Sequence, residues 1–166
     1  MTSRNIYVIS DTHFGHGNII TYCNRPFSNP KEMDEFMIDN WNNTVNDNDI
    51  VYHLGDVYFG EGAKSLLPKL KGRKRLILGN HDDGKSKALQ DNFQKITIWR
   101  MFPEFGLLLT HVPVHESTLG ENPKRPKMVN VHGHIHDKAA PSEKHINVSV
   151  EQINYTPINI EELRVV

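Results

Sequence analysis

The chain has 166 residues, 37% hydrophobic and 23% charged, with a formal net charge of −1 and a pI near 6.8. That length suits one domain with a substantial core, 1–166, and leaves little room for a second. The near-neutral balance argues against a protein that adheres to nucleic acid over a long footprint, which would need a basic excess.

In chain order, Asn5–Ser10 is a short apolar run that predicts a buried strand, with no signal peptide before it. Gly15–Cys23 reads as a short helix closed by Arg25 and Pro26. Met33, Phe36, Met37, Trp41 and Val45 recur at helical spacing, so Pro30–Val45 reads as an amphipathic helix. Asp49–Leu54 is a second strand. Ala63–Leu70 is a short helix whose end is disturbed by Pro68. Arg75–Leu78 is a third strand, and Gly84–Phe93 a further helix.

The pattern then turns strand-rich. Lys95–Phe102 and Gly106–Thr110 predict a hairpin around Pro103–Gly106, and Val129–His132 and Ile146–Val150 are further strands. Asn159, with Glu162 three residues on, predicts a capped helix in the tail. Strand–helix alternation followed by strands implies two central sheets with helices outside. No run approaches membrane-spanning length, and the single Cys23 fits a reducing, cytoplasmic setting.

Five strand-like runs end in groups that suit metal ligation: Asp11-Thr12-His13, Gly55-Asp56, Gly79-Asn80-His81-Asp82, His111, and Gly133-His134-Ile135-His136. Strand-end loops of α/β sheets converge on one crevice, so these groups can meet in space. Imidazole and carboxylate donors together suit borderline divalent ions such as Mn, Fe, Co, Ni and Zn. Asp11 and His13, two apart on an extended segment, can turn to one side, as can His134 and His136. Neither a serine elbow nor a Cys–His dyad competes as a nucleophile.

With its five blocks in this order, the sequence resembles the calcineurin-like metallophosphoesterases. The run Asp11–His16 with Asn18 looks like a small bacterial and phage branch of them. The resemblance implies a two-sheet β-sandwich flanked by helices, a four-layer αββα fold. It implies one metal held by Asp11, His13, Asp56 and His136, and a second by Asp56, Asn80, His111 and His134, with Asp56 bridging. His81 would face the substrate and protonate the leaving oxygen, and Asp82 would orient His81.

Two ions so placed activate a bridging water and clamp the phosphoryl oxygens. The resemblance therefore implies a dinuclear phosphoesterase, with Mn²⁺ the favoured ion. A phosphodiesterase on nucleotides or similar diesters is preferred to a phosphomonoesterase, and a non-catalytic scaffold is disfavoured by the intact His81. Arg25, His16 and His115 are weaker substrate contacts, more in keeping with structural or solvent roles, as are Asn18, His53 and His132. Arg25 is the best of them for a phosphate. The basic runs Lys69–Arg75 and Lys124–Lys127 read as solvated turns.

Overall fold

The computed structural model describes residues 4–120 and 127–166, so most of the basic run Lys124–Lys127 lies outside it. Among the described residues nine strands form two mixed sheets. The first contains β1 (Ile6–Ile9), β2 (Ile50–His53), β3 (Arg73–Ile77), β4 (Lys95–Thr97) and β9 (Ile158–Asn159). Its order is β4-β3-β2-β1-β9, with only β9 antiparallel. The second contains β5 (Trp99–Phe102), β6 (Leu107–Thr110), β7 (Val129–His132) and β8 (His145–Asn147), in that order, with only β5 antiparallel.

Side-chain alternation places two cores. Val8, Tyr52 and Ile77 of the first sheet meet Leu107, Leu109 and Val131 of the second, filling the space between the sheets. Ile9, Val51 and Leu76 point the other way, into the helices. These are α1 (Gly17–Tyr22), α2 (Pro30–Thr44) and α3 (Lys87–Asn92), with 3₁₀ turns at Glu61–Lys69. Helix α2 starts where Asn29 accepts the Glu32 amide at 2.9 Å and Pro30 takes the first helical position. It buries Met33, Met37 and Trp41, whereas Phe36 of the same predicted stripe is 46% exposed.

On the outer face of the second sheet, the segment 112–119 packs across β7 and β8. Asn130 accepts the Val114 amide at 2.9 Å, and the Val114 carbonyl meets His145 at 2.8 Å.

Several elements differ from expectation. The strand expected at Lys95–Phe102 divides at Ile98, so that β4 completes one sheet and β5 opens the other. Ala63–Leu70 is 3₁₀ rather than α because glycines at 60 and 62 and Pro68 leave too few consecutive α-type residues. The tail helix is a 3₁₀ turn, Ile160–Leu163, in which Asn159 caps the Glu161 amide. The two-residue β9 has no alternation long enough to read.

The fold gathers one set of strand ends. β1, β2 and β3 run parallel, as do β6, β7 and β8, so their C-terminal loops emerge in sets. The two sets join where Ser10 pairs with Ser149 and the Val150 amide donates to the Ser10 carbonyl at 3.0 Å. Among the described residues no helix is long and apolar enough to cross a membrane.

Candidate metal centre

The loops at these strand ends carry a strained backbone. Asp11, His13, Asp56, His134 and His136 all adopt positive φ, between 49° and 71°. Left-handed backbone is uncommon outside glycine and costs about 1–3 kcal/mol per residue, so the surrounding structure must hold it. Much of that support comes from Asp82. Its carboxylate accepts the amides of Asp56 (2.8 Å), Gly79 (2.8 Å) and Val57 (3.0 Å), tying the β2 and β3 loops together. These three bonds aim the carboxylate at the backbone of the Asp56 and Gly79 turns.

Two clusters of donors result. Asp11, His13 and His136 bring one ligand atom each within 4.8 Å of one another, and so do Asp56, His111 and His134. Asp56 links them: its Oδ2 lies 3.6 Å from His13 Nε2 and 3.4 Å from His111 Nε2. Asn80 Oδ1 joins the second cluster at 2.8 Å from His111 Nε2 and 2.9 Å from His134 Nδ1.

The donors fit divalent cations. Asp11 Oδ2 is fully occupied by Ser10 Oγ (2.6 Å), the His134 amide (2.8 Å) and Ser149 Oγ (3.2 Å). Its other oxygen, Oδ1, is buried without a hydrogen-bond partner, and so is His13 Nε2. Buried orphaned acceptors are costly unless a cation meets them. The Nδ1–H of His111 donates to the Leu54 carbonyl at 2.7 Å, which leaves Nε2 facing the oxygens of Asn80 and Asp56. Only a positive centre, a proton or a metal ion, satisfies that meeting of acceptors.

Glycines keep the space clear. A Cβ on Gly133 would fall 2.0 Å from Ser10 Oγ and 2.1 Å from Asp11 Oδ2, and one on Gly79 would fall 2.2 Å from Asp56 Oδ1.

Electrostatics follow the same arrangement. Burial opposes the charge on Asp11, but the His13 ring beside it, the Ser10 hydroxyl bond and the nearby His111 and His136 hold its carboxyl well below the usual range. Burial would likewise lower His136, yet contacts with Cys23 and Glu151 and the charge of Asp11 raise it to about 10. Burial dominates at His53, which falls to about 3. The Thr12 hydroxyl donates to Val57 O at 2.7 Å and therefore accepts from His53 Nε2 at 2.9 Å. His53 Nδ1 in turn accepts the Gly55 amide at 3.1 Å. His53 is a neutral strut beneath the centre.

Arg25 faces backbone carbonyls and Glu151 beneath the centre. Arg25 is 3% exposed, and its guanidinium donates to the carbonyls of Asp11 (2.7 Å) and Thr12 (3.0 Å). It also pairs with Glu151 at 2.7 Å. His16 stays at the mouth, stacked on Phe59 with ring centroids 4.1 Å apart. His115 is not brought to the centre and instead caps the 3₁₀ turn Glu116–Thr118. His81 is exposed, with its ring against Phe59 at 5.2 Å and its amide held by Asp56 Oδ1 at 2.9 Å.

Glu151 was missed by the sequence reading. It lies after β8 and accepts from Arg25 (2.9 Å), with His136 Nδ1 at 3.1 Å. Its signal is positional, an acid immediately after the strand that the sequence predicts at Ile146–Val150.

Comparison with known proteins places this geometry. A family model described as calcineurin-like phosphoesterase matches residues 4–164. An uncharacterised protein of Methanocaldococcus jannaschii is 42% identical across 97% of this chain and 90% of its own. The gene 66 protein of a Mycobacterium phage is 26% identical over 76% of this chain and 86% of its own. A crystal structure of a protein of unknown function from Aquifex aeolicus superposes with a TM-score of 0.76 at 28% identity, covering 97% and 98% of the two chains.

Proposed function

Because the chain belongs to the calcineurin-like phosphoesterase family, whose members are metal-dependent phosphate-ester hydrolases, we propose that it is a phosphodiesterase with two divalent ions. The observation that carries this reading is Asp56 Oδ2, set between His13 and His111, beside the orphaned Asp11 Oδ1 and His13 Nε2. Asp11, His13, His136 and Asp56 would hold one ion, and Asp56, Asn80, His111 and His134 the other. The pair, when bound, supplies an activated water and neutralises charge on the phosphoryl oxygens. Mixed nitrogen and oxygen donors favour Mn²⁺ over harder ions.

His81 stands at the exposed rim, where its ring can give a proton to the departing ester oxygen. Asp82 serves this step indirectly, by fixing the backbone from which both Asp56 and His81 project. Asn80, His81 and His134 are all exposed, so the centre opens to solvent and has room for substituents on both sides of phosphorus. That openness favours a diester.

Protein stripped with a chelator and restored with Mn²⁺ should hydrolyse a chromogenic phosphodiester faster than the matching monoester. His81→Ala should lower turnover by roughly a hundredfold or more. Equal turnover with and without metal would sink the reading. A monoester preference would replace the diester assignment, and metal binding without turnover on either ester would favour a scaffold.

A further inference from the structure

The second donor cluster opens sideways onto the edge of the sandwich where β4 passes to β5. A groove of about 670 Å³ begins at Asn80 and His111 and continues along Leu108, Ile98, Trp99 and Met101. Trp99 is 53% exposed and Ile98 72%. Trp99 and Met101 also line a second recess of about 250 Å³, whose far side is Arg75, Lys95 and Arg100. Strand register sets this order: Trp99 pairs with Thr110, immediately before His111, and Arg75 pairs with Lys95 one strand over. Arg75 and Asn80 are five residues apart, so their Cα atoms lie no more than about 17 Å apart along the strand.

The cations lack carboxylate partners. Arg75 donates to the Tyr52 hydroxyl at 2.7 Å, and Arg100 lies over the Phe102 ring at 4.8 Å. Among the described residues none of Arg75, Lys95 and Arg100 is ion-paired, and no acid lines either recess. An exposed indole between a phosphoester centre and an unneutralised basic patch matches a ligand that alternates phosphate, flat ring and phosphate. A second copy of the chain on this edge would bring like charges together across a two-fold axis, which disfavours self-association.

We propose that this edge is a substrate subsite for single-stranded oligonucleotide ends, with a base stacked on Trp99 and the neighbouring phosphate on Arg75, Lys95 and Arg100. The inference rests on the phosphodiesterase reading and names its substrate class. The basic run Lys69–Arg75, which reads from sequence as a solvated turn, contributes Arg75 to the patch. Lys74 turns away, burying its amine against the Leu70 carbonyl at 2.7 Å. Three cations suffice for a footprint of one or two phosphates, consistent with a chain of net charge −1.

Binding of a hydrolysis-resistant phosphorothioate tetrathymidylate to the metal-loaded protein tests the subsite. Trp41 is fully buried, so quenching of indole fluorescence reports Trp99. Wild type should be quenched on binding. Trp99→Ala should bind roughly ten- to a hundredfold more weakly, and Trp99→Phe should recover most of that loss. Arg100→Ala should reduce the salt dependence of binding by about one phosphate contact, a change in slope of about 0.7. Unchanged affinity in Trp99→Ala and Arg100→Ala, or no binding by wild type, overturns the subsite. So does concentration-dependent dimerisation that Trp99→Ala abolishes, which would assign the edge to a second copy. Protein that hydrolyses small diesters but does not bind the oligonucleotide sinks only this inference. Protein that binds it but hydrolyses no ester sinks the phosphodiesterase reading and leaves the subsite standing.

Discussion

Replacing Asp56 by Asn should lower metal-dependent turnover by about a thousandfold or more while leaving the protein folded. The substitution keeps the shape of the side chain and the acceptor for the His81 amide, which Asp56 Oδ1 now receives at 2.9 Å. What it removes is the negative charge at Oδ2, the atom set 3.6 Å from His13 Nε2 and 3.4 Å from His111 Nε2. A bridging carboxylate is the one ligand whose loss weakens both ions at once. Lewis-acid stabilisation is worth several kcal/mol, and each 1.4 kcal/mol is a factor of ten in rate. Turnover and metal affinity like those of wild type in Asp56→Asn would mean that the two clusters do not act as one centre. Circular dichroism and thermal melts on the same preparation separate this outcome from misfolding.

Arg25→Met should be the most destabilising single change at the site, by about 3–5 kcal/mol in urea unfolding. Arg25 and Glu151 form a buried pair at 2.7 Å, and removing one partner leaves an uncompensated charge in a poorly solvated place. The same guanidinium holds the carbonyls of Asp11 and Thr12, in the segment where Asp11 and His13 take positive φ. Loss of Arg25 should therefore also weaken metal binding. A phosphate-contacting arginine behaves otherwise, with KM rising and stability unchanged. That second pattern would assign Arg25 the phosphate contact that its guanidinium also permits.

How far the chain could be read before its structure depended on the range of the signal. The metal-type residues were legible because each block follows an apolar run, and strand ends in an α/β fold share one edge. The structure brings Asp11, His13, Asp56, Asn80, His111, His134 and His136 to that edge. Their supports were not legible, because they act across long separations. Arg25 meets Glu151 from 126 positions away, and Ser149 reaches Asp11 from 138. Asp82 illustrates a subtler case. The family resemblance implies a partnership with the His81 ring, and what local sequence does not mark is the turn that aims its carboxylate at the amides of Asp56, Val57 and Gly79.

Among secondary elements, long periodic ones such as α2 stood out, and short ones depended on neighbours. The division of Lys95–Phe102 at Ile98 leaves no mark in hydropathy, since both halves are strand-like and only pairing sends β4 to one sheet and β5 to the other. That crossing produces the exposed Trp99, and with it the groove beside Asn80 and His111.

Two donor clusters that form one dinuclear centre bind metal with a fixed stoichiometry. Protein stripped with chelator, reloaded with Mn²⁺ and freed of excess by gel filtration should contain two ions per chain by elemental analysis. Isothermal titration of the stripped protein should reach the same endpoint. One ion per chain, or none retained, would mean that the two clusters do not form a dinuclear centre.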